Sequence, residues 1–131
     1  MKLEKKPINF EDERGTITDI FVHEPIEHTT IITTKKGGVR GNHYHKVSVQ
    51  HDYLVSGKFQ VYYKMMDDGE IKTVEWNPGE FITWEKSEAH EFVALEDSTF
   101  ITFVNGVRGG DDFEKDTYRL ETPLHFSLKT L

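Results

Sequence analysis

Gly41-Asn42-His43-Tyr44-His45-Lys46-Val47-Ser48-Val49-Gln50 is the stretch on which the fold of this chain turns. Two imidazoles stand two residues apart, and a carboxamide follows five residues after the second. In extended backbone, residues i and i+2 share a face, so His43 and His45 project side by side into one space. Converging imidazoles can hold a metal, move a proton or, when charged, bind an anion.

Outward from this stretch the chain reads as short strands cut by turn residues. Ser48 to Val55 continues as a strand and stops at Ser56-Gly57. Phe59, Val61 and Tyr63 alternate with Gln60, Tyr62 and Lys64, a period of two with the first set inward. Asp67-Asp68-Gly69 is a hairpin signal, because Asp-Gly accepts the positive φ of tight turns. Ile71 to Trp76 returns, Asn77-Pro78-Gly79-Glu80 turns, and Phe81-Ile82-Thr83-Trp84 is short and apolar. After the polar loop Glu85 to Glu88 come strands at Ala89 to Leu95 and Thr99 to Val104. Upstream, the β-branched runs Thr16 to Val22 and His28 to Thr34 are two more. Beyond Thr99–Val104 a loop is expected over Gly106 to Asp112, and the tail to Leu131 is expected to cover a sheet edge or to hold a short helix near Phe113-Glu114-Lys115-Asp116.

No stretch keeps helical spacing for three turns. About eight short strands make an all-β sandwich or barrel. A length of 131 residues suggests a single domain, 1–131, with a barrel core over about 15–105 and a tail over 106–131. Formal net charge is −7, against a general nucleic-acid binder, which carries a basic face. There is no cysteine, so disulfides, thiolate metal sites and cysteine nucleophiles are excluded. Met1 to Lys6 has no apolar core, and no apolar run approaches the ~18 residues of a membrane span. A cytoplasmic protein without membrane or nucleic-acid partners is the expectation.

The spacing resembles the cupin superfamily, whose fold is a double-stranded β-helix of jelly-roll type. Gly37, His43, His45, Gln50 and Gly57 occupy the successive positions of its first motif, with Gln50 where a Glu is usual. Gly79 begins the second motif and His90 ends it; the usual Pro-x-Gly appears as Glu85-Lys86-Ser87. Arg40-Gly41-Asn42-His43-Tyr44 and Asp12-Glu13-Arg14-Gly15 resemble segments of dTDP-4-dehydrorhamnose 3,5-epimerases. Arg40, His43, His45 and Gln50 also match sugar-nucleotide 3,4-ketoisomerases. Gly41-Asn42-His43-Tyr44-His45 and Val55-Ser56-Gly57 resemble the metal-binding cupin domain of capsular-sugar reductases.

The resemblance implies two chemistries for one set of side chains. As an isomerase, His43 is the base that removes a proton beside a ketone, and His45 or Tyr53 returns one or holds the enolate oxygen. Arg14 and Arg40 would bind the diphosphate of a nucleotide sugar, with Gln50 also a substrate contact. No metal is then required. As a metal cupin of other chemistry, dioxygenase-like for instance, His43, His45, Gln50 and His90 would hold one divalent Zn, Ni, Fe or Mn. A non-catalytic sugar- or metal-binding module is the third alternative. The resemblance also implies a homodimer paired through edge strands.

Other side chains have plainer readings. His51 should face away from Gln50, at a surface or interface. Asp52 shares the face of Gln50, either as an inward acid/base group or as a solvated one. His23, His28 and His125 lack motif partners. Tyr62 points outward. Trp84, Phe92, Phe59 and Tyr63 suit barrel packing. Asp111, Asp112, Glu114 and Asp116 read as a solvated acidic stretch.

Overall fold

The computed structural model describes residues 1–67, 69–106 and 115–129. Its strands in chain order are β1 Lys2–Lys5, β2 Phe10–Asp12, β3 Gly15–Ile17, β4 His28–Thr34, β5 Val39–Tyr44 and β6 Val49–Ser56. They continue with β7 Phe59–Met65, β8 Lys72–Trp76, β9 Glu80–Thr83, β10 Glu88–Ala94, β11 Ser98–Asn105 and β12 Tyr118–Arg119. One helix, α1 Leu124–Lys129, follows.

Two five-stranded antiparallel sheets face each other, in the orders β1-β9-β6-β11-β4 and β12-β5-β10-β7-β8. From β4 to β12 the chain alternates between the sheets, except at the β7–β8 hairpin, as in a jelly roll. The alternation of β6, β7 and β11 places one residue in two inside. Leu54, Phe59, Val61, Trp76, Ile82, Trp84, Phe92, Ala94 and Phe100 form the buried core between the sheets. Phe59, Trp76, Phe92 and Phe100 meet there ring to ring, with centroids 5.3–6.0 Å apart. The aromatic residues given a packing role therefore have one.

The run Thr16–Val22 is not the single strand its β-branched residues suggest. Only Gly15–Ile17 is extended, closing a small hairpin with β2. The residues beyond it cross the outer face of the first sheet. Phe21 lies there against His51, Phe81 and Phe103, with centroids 4.8–5.3 Å away. Burial of that ring outweighs the strand preference of its neighbours.

Of the two readings of the tail, cover of a sheet edge is met by β12, which pairs with β5, while the expected helix is displaced. Lys115 and Asp116 form a turn, and the helical turn begins instead at Leu124. Phe113 and Glu114, the loop residues 107–112, and Asp68 of the expected hairpin lie outside the described residues. The strands that flank this hairpin do pair, Tyr63 opposite Lys72. Among the described residues, no helix is long and apolar enough to cross a membrane.

Candidate functional site

β5 and β10 run antiparallel with His43 directly opposite His90. His45 follows the end of β5. The three rings converge, with centroids 4.9 Å apart for His43–His45, 4.8 Å for His43–His90 and 5.5 Å for His45–His90. One nitrogen of each lies within 4.8 Å of the others, and all three side chains are buried.

Local backbone chemistry aims this cluster. A bulge interrupts the β5–β10 ladder between His90 and Glu91, and bulges re-aim the side chains beside them. Gly41 and Asn42 on the facing strand both have positive φ, 80° and 65°. A Cβ on Gly41 would stand 2.8 Å from the His90 carbonyl oxygen, so only glycine fits. Asn tolerates the left-handed region better than most residues. The Asn42 side chain also donates to the Leu120 carbonyl (3.3 Å) and accepts from the Leu124 N–H (3.1 Å).

Ser87 stands at the glycine place of the second motif and takes its conformation, φ 62°. Its N–H donates to the His45 carbonyl at 2.7 Å.

The tail closes over the same edge. β12 pairs with β5, Tyr118 opposite Tyr44 and Arg119 opposite His43. Asp116 is buried, contrary to its reading as a solvated residue. Its carboxylate accepts the N–H groups of Lys46, Val47 and Ser48 at 3.0, 2.9 and 2.7 Å. Burial pushes this carboxyl up, but the three backbone donors outweigh it and hold the group below its ordinary range. The Asp116 carbonyl oxygen lies 2.6 Å from His45 Nδ1. No periodicity marks Asp116 in the sequence. Its place depends on a contact across about seventy residues of chain.

Gln50 and Asp52 share the inner face of β6, as alternation predicts, and both are buried. Gln50 Oε1 lies 3.0 Å from His45 Nε2. Gln50 Nε2 donates to Asp52 Oδ2 at 2.9 Å. Asp52 also receives the indole N–H of Trp84 (2.8 Å) and the hydroxyl of Thr102 (2.6 Å). It is not solvated. Trp84 stacks on His90 at 4.6 Å.

The remaining candidates lie elsewhere. Tyr53 has the parity of His51 and so faces away from Gln50 and Asp52. It is not brought to the histidines. His51 does face outward, as expected, but packs against Phe21 and Phe81 and bonds Thr83 Oγ1 at 3.0 Å. The Arg40 guanidinium is engaged by Thr34 Oγ1 (3.2 Å) and the Thr33 carbonyl (2.8 Å). It lines a polar cavity of about 650 Å³ with Lys35, Ser56 and Thr99. Ser56 and Thr99 belong to the ends of β6 and β11 farthest from Gln50. Arg14 is exposed at the β2–β3 turn and bound to Asp12. That guanidinium lowers the Asp12 carboxyl below its ordinary range. His125 lies apart from the cluster and bonds the buried Glu91 at 2.6 Å.

The donor set can be tested for a metal. Nδ1 of His45 and of His90 each faces a backbone carbonyl, of Asp116 and of Glu88 (3.2 Å). A proton on Nδ1 leaves the Nε2 lone pair for a cation, the usual arrangement of a metal-binding imidazole. Two ligand atoms each ~2.1 Å from one ion at a right angle stand about 3 Å apart. His45 Nε2 and Gln50 Oε1 have that separation. Three buried imidazoles with nitrogens gathered within 4.8 Å, and the Gln50 oxygen beside His45, are a donor set whose chemistry suits a divalent ion.

Fold and site together define an RmlC-like cupin. Residues 10–118 match the family described as the polysaccharide biosynthesis C-terminal domain, and the chain belongs to that family. No curated protein matches it in sequence.

Among the solved structures that resemble it are a ketoisomerase, a capsular polysaccharide assembling protein and an epimerase. The QdtA 3,4-ketoisomerase from Thermoanaerobacterium thermosaccharolyticum, a double mutant in complex with TDP, is 25% identical over 91% of this chain and 86% of its own, with a TM-score of 0.74. The capsular polysaccharide assembling protein CapF from Staphylococcus aureus is 27% identical, with a TM-score of 0.65. That match covers 91% of this chain and 33% of CapF, so this chain spans about a third of that protein. A dTDP-4-dehydrorhamnose 3,5-epimerase from Sulfolobus tokodaii is 23% identical over 79% of this chain and 69% of its own, with a TM-score of 0.68. That last likeness is one of fold.

Proposed function

We propose that this cupin isomerises or epimerises a 4-keto sugar carried on a nucleotide, by proton transfer at the histidine cluster. The observation that carries the reading is the contact between His45 Nε2 and Gln50 Oε1. His45 Nδ1 faces the Asp116 carbonyl and Nε2 faces an amide oxygen, so both ring nitrogens meet acceptors. A positive charge relieves that arrangement. A second proton on the ring makes His45 a proton donor within the histidine cluster. His43, 4.9 Å away between centroids, is then the base that takes the proton from the carbon beside the ketone. His45 gives or shares a proton at the enolate oxygen. The likeness to the QdtA ketoisomerase supports the substrate class.

The same contact favours a second reading, in which a divalent ion takes the place of that proton. Bound by His43, His45, His90 and Gln50, it would act as a Lewis acid on the ketone oxygen. Proton abstraction then falls to a group other than His43. Zinc analysis of the purified protein and of a His43→Ala/His45→Ala variant separates the two readings. One equivalent in the first and none in the second selects the metal.

The isomerase itself is tested in heavy water. Incubation with dTDP- or UDP-4-keto-6-deoxy sugars should place deuterium on the ring carbon beside the ketone, and His43→Ala should slow this at least a hundredfold, the low end of what a general base contributes. No exchange with any of these sugars ends the isomerase reading.

Arg14 and Arg40 do not reach the histidines within this chain. A homodimer supplies one route. Ile8, Phe10 and Ile17 are more than half exposed around the β2–β3 hairpin, with Arg14 at its turn. A second copy covering these residues would carry each Arg14 towards its neighbour.

A further inference from the structure

We propose that Asp52 is the positioning residue of this site: it decides which end of the Gln50 carboxamide His45 meets. The two ends of an amide are nearly alike in shape and opposite in chemistry. With the NH2 towards His45, Nε2 would accept an ordinary hydrogen bond and need no cation. With the oxygen towards His45 and the ring's Nδ1 proton on the Asp116 carbonyl, two lone pairs face each other until a second proton or a metal ion enters. A carboxylate only accepts. Asp52 Oδ2 lies 2.9 Å from Gln50 Nε2 and so draws the NH2 end to itself and turns Oε1 to His45.

Asp52 is itself fixed. Its side chain is fully buried at 0% exposure. The Trp84 indole N–H, from the segment after β9, and the Thr102 hydroxyl, from β11, reach its two oxygens. Trp84 stacks on His90, so the same ring that holds Asp52 also backs the third histidine. Asp52 thus acts on His45 through Gln50. The assignment depends on the histidine site described above and on the isomerase reading only for the reaction it serves.

Nuclear magnetic resonance on the wild-type protein tests the orientation directly. Both Gln50 Nε2 and Trp84 Nε1 donate to Asp52 Oδ2. The Gln50 amide protons should therefore show strong Overhauser contacts to the Trp84 indole proton and weak or no contacts to the carbon-bound ring protons of His45. The reverse pattern overturns the proposal, and no variant is needed to see it.

The consequence is tested with Asp52→Asn and Asp52→Leu. Asn keeps an oxygen for the Gln50 NH2, while its own NH2 can donate to the Thr102 hydroxyl. The orientation and the zinc affinity should stay within about threefold of wild type. Leu removes the acceptor, so the amide is released and zinc affinity should fall at least tenfold. Adding Gln50→Glu to Asp52→Leu should restore it, because a carboxylate has no wrong end. A folded Asp52→Leu protein with wild-type zinc affinity, or a folded double variant without recovery, overturns the proposal. Failure of the isomerase reading shows separately, as absent ring-proton exchange in a wild-type protein whose Overhauser contacts are as expected.

Discussion

At the scale of single residues, the site is set by conformations that side-chain identity only partly announces. Ser87 does the work of a motif glycine, at a left-handed cost of ~1–2 kcal/mol for an L-residue. Its sequence, Glu85-Lys86-Ser87, conceals the turn that its backbone makes. His51 gives a pH prediction at this scale. Burial lowers its pKa below the ordinary 6.5, aided by Lys6, while Glu24 and Glu4 oppose the shift without reversing it. The folded ring therefore binds fewer protons than the unfolded one just below pH 6.5. Stability should be full above that value and fall as pH drops through it. His51→Phe keeps the ring packing against Phe21 and Phe81 and should flatten this slope. Urea unfolding of both proteins between pH 5 and 7.5 measures it.

At the scale of elements, the tail is part of the site. β12 extends the sheet beside His43, and Asp116 ties down the turn after His45. Asp116→Ala leaves those N–H groups without their acceptor and should cost about 2 kcal/mol. Amide hydrogen exchange should rise at 46–48 and 118–120 in this variant while the β7–β10 ladder stays protected. The Asp116 carboxyl is held low in the fold, so its contribution is present above the ordinary value of 3.8 and lost as pH falls below it. Wild-type protein should therefore approach the exchange pattern of the Ala variant on acidification past that point. Cover of a sheet edge by the tail was one of two readings the sequence allowed, but the residues that dock it were not legible. Two strand residues and a loop carboxylate carry no periodicity, and their docking depends on partners on β5 and in the turn beyond it.

For the molecule as a whole, stability rests on the aromatic core between the sheets. Trp76 is fully buried among Phe59, Phe92 and Phe100. Trp76→Ala should cost ~3–5 kcal/mol and lower the denaturant midpoint without altering zinc stoichiometry in the protein that remains folded. The exposed apolar hairpin gives the other whole-molecule outcome. Sedimentation should show a dimer, and Phe10→Ser/Ile17→Ser should shift it to monomer.

The residues that alternate in a strand speak for themselves: His43 with His45, Gln50 with Asp52, Phe59 with Val61. A period of two is a property of the extended backbone, so the sequence alone determined an all-β fold and the inward set of the cup. The cupin spacing added His90 to the same set. What only the tertiary structure decided was where long-range partners fall. The β5–β10 register and its bulge put His90 opposite His43, and the tail laid Asp116 against His45. The Thr34 hydroxyl and the Thr33 carbonyl, on a strand of the other sheet, hold the Arg40 guanidinium away from the histidines. Such choices follow from which buried polar groups find partners in the closed barrel, and those partners are distant in the chain.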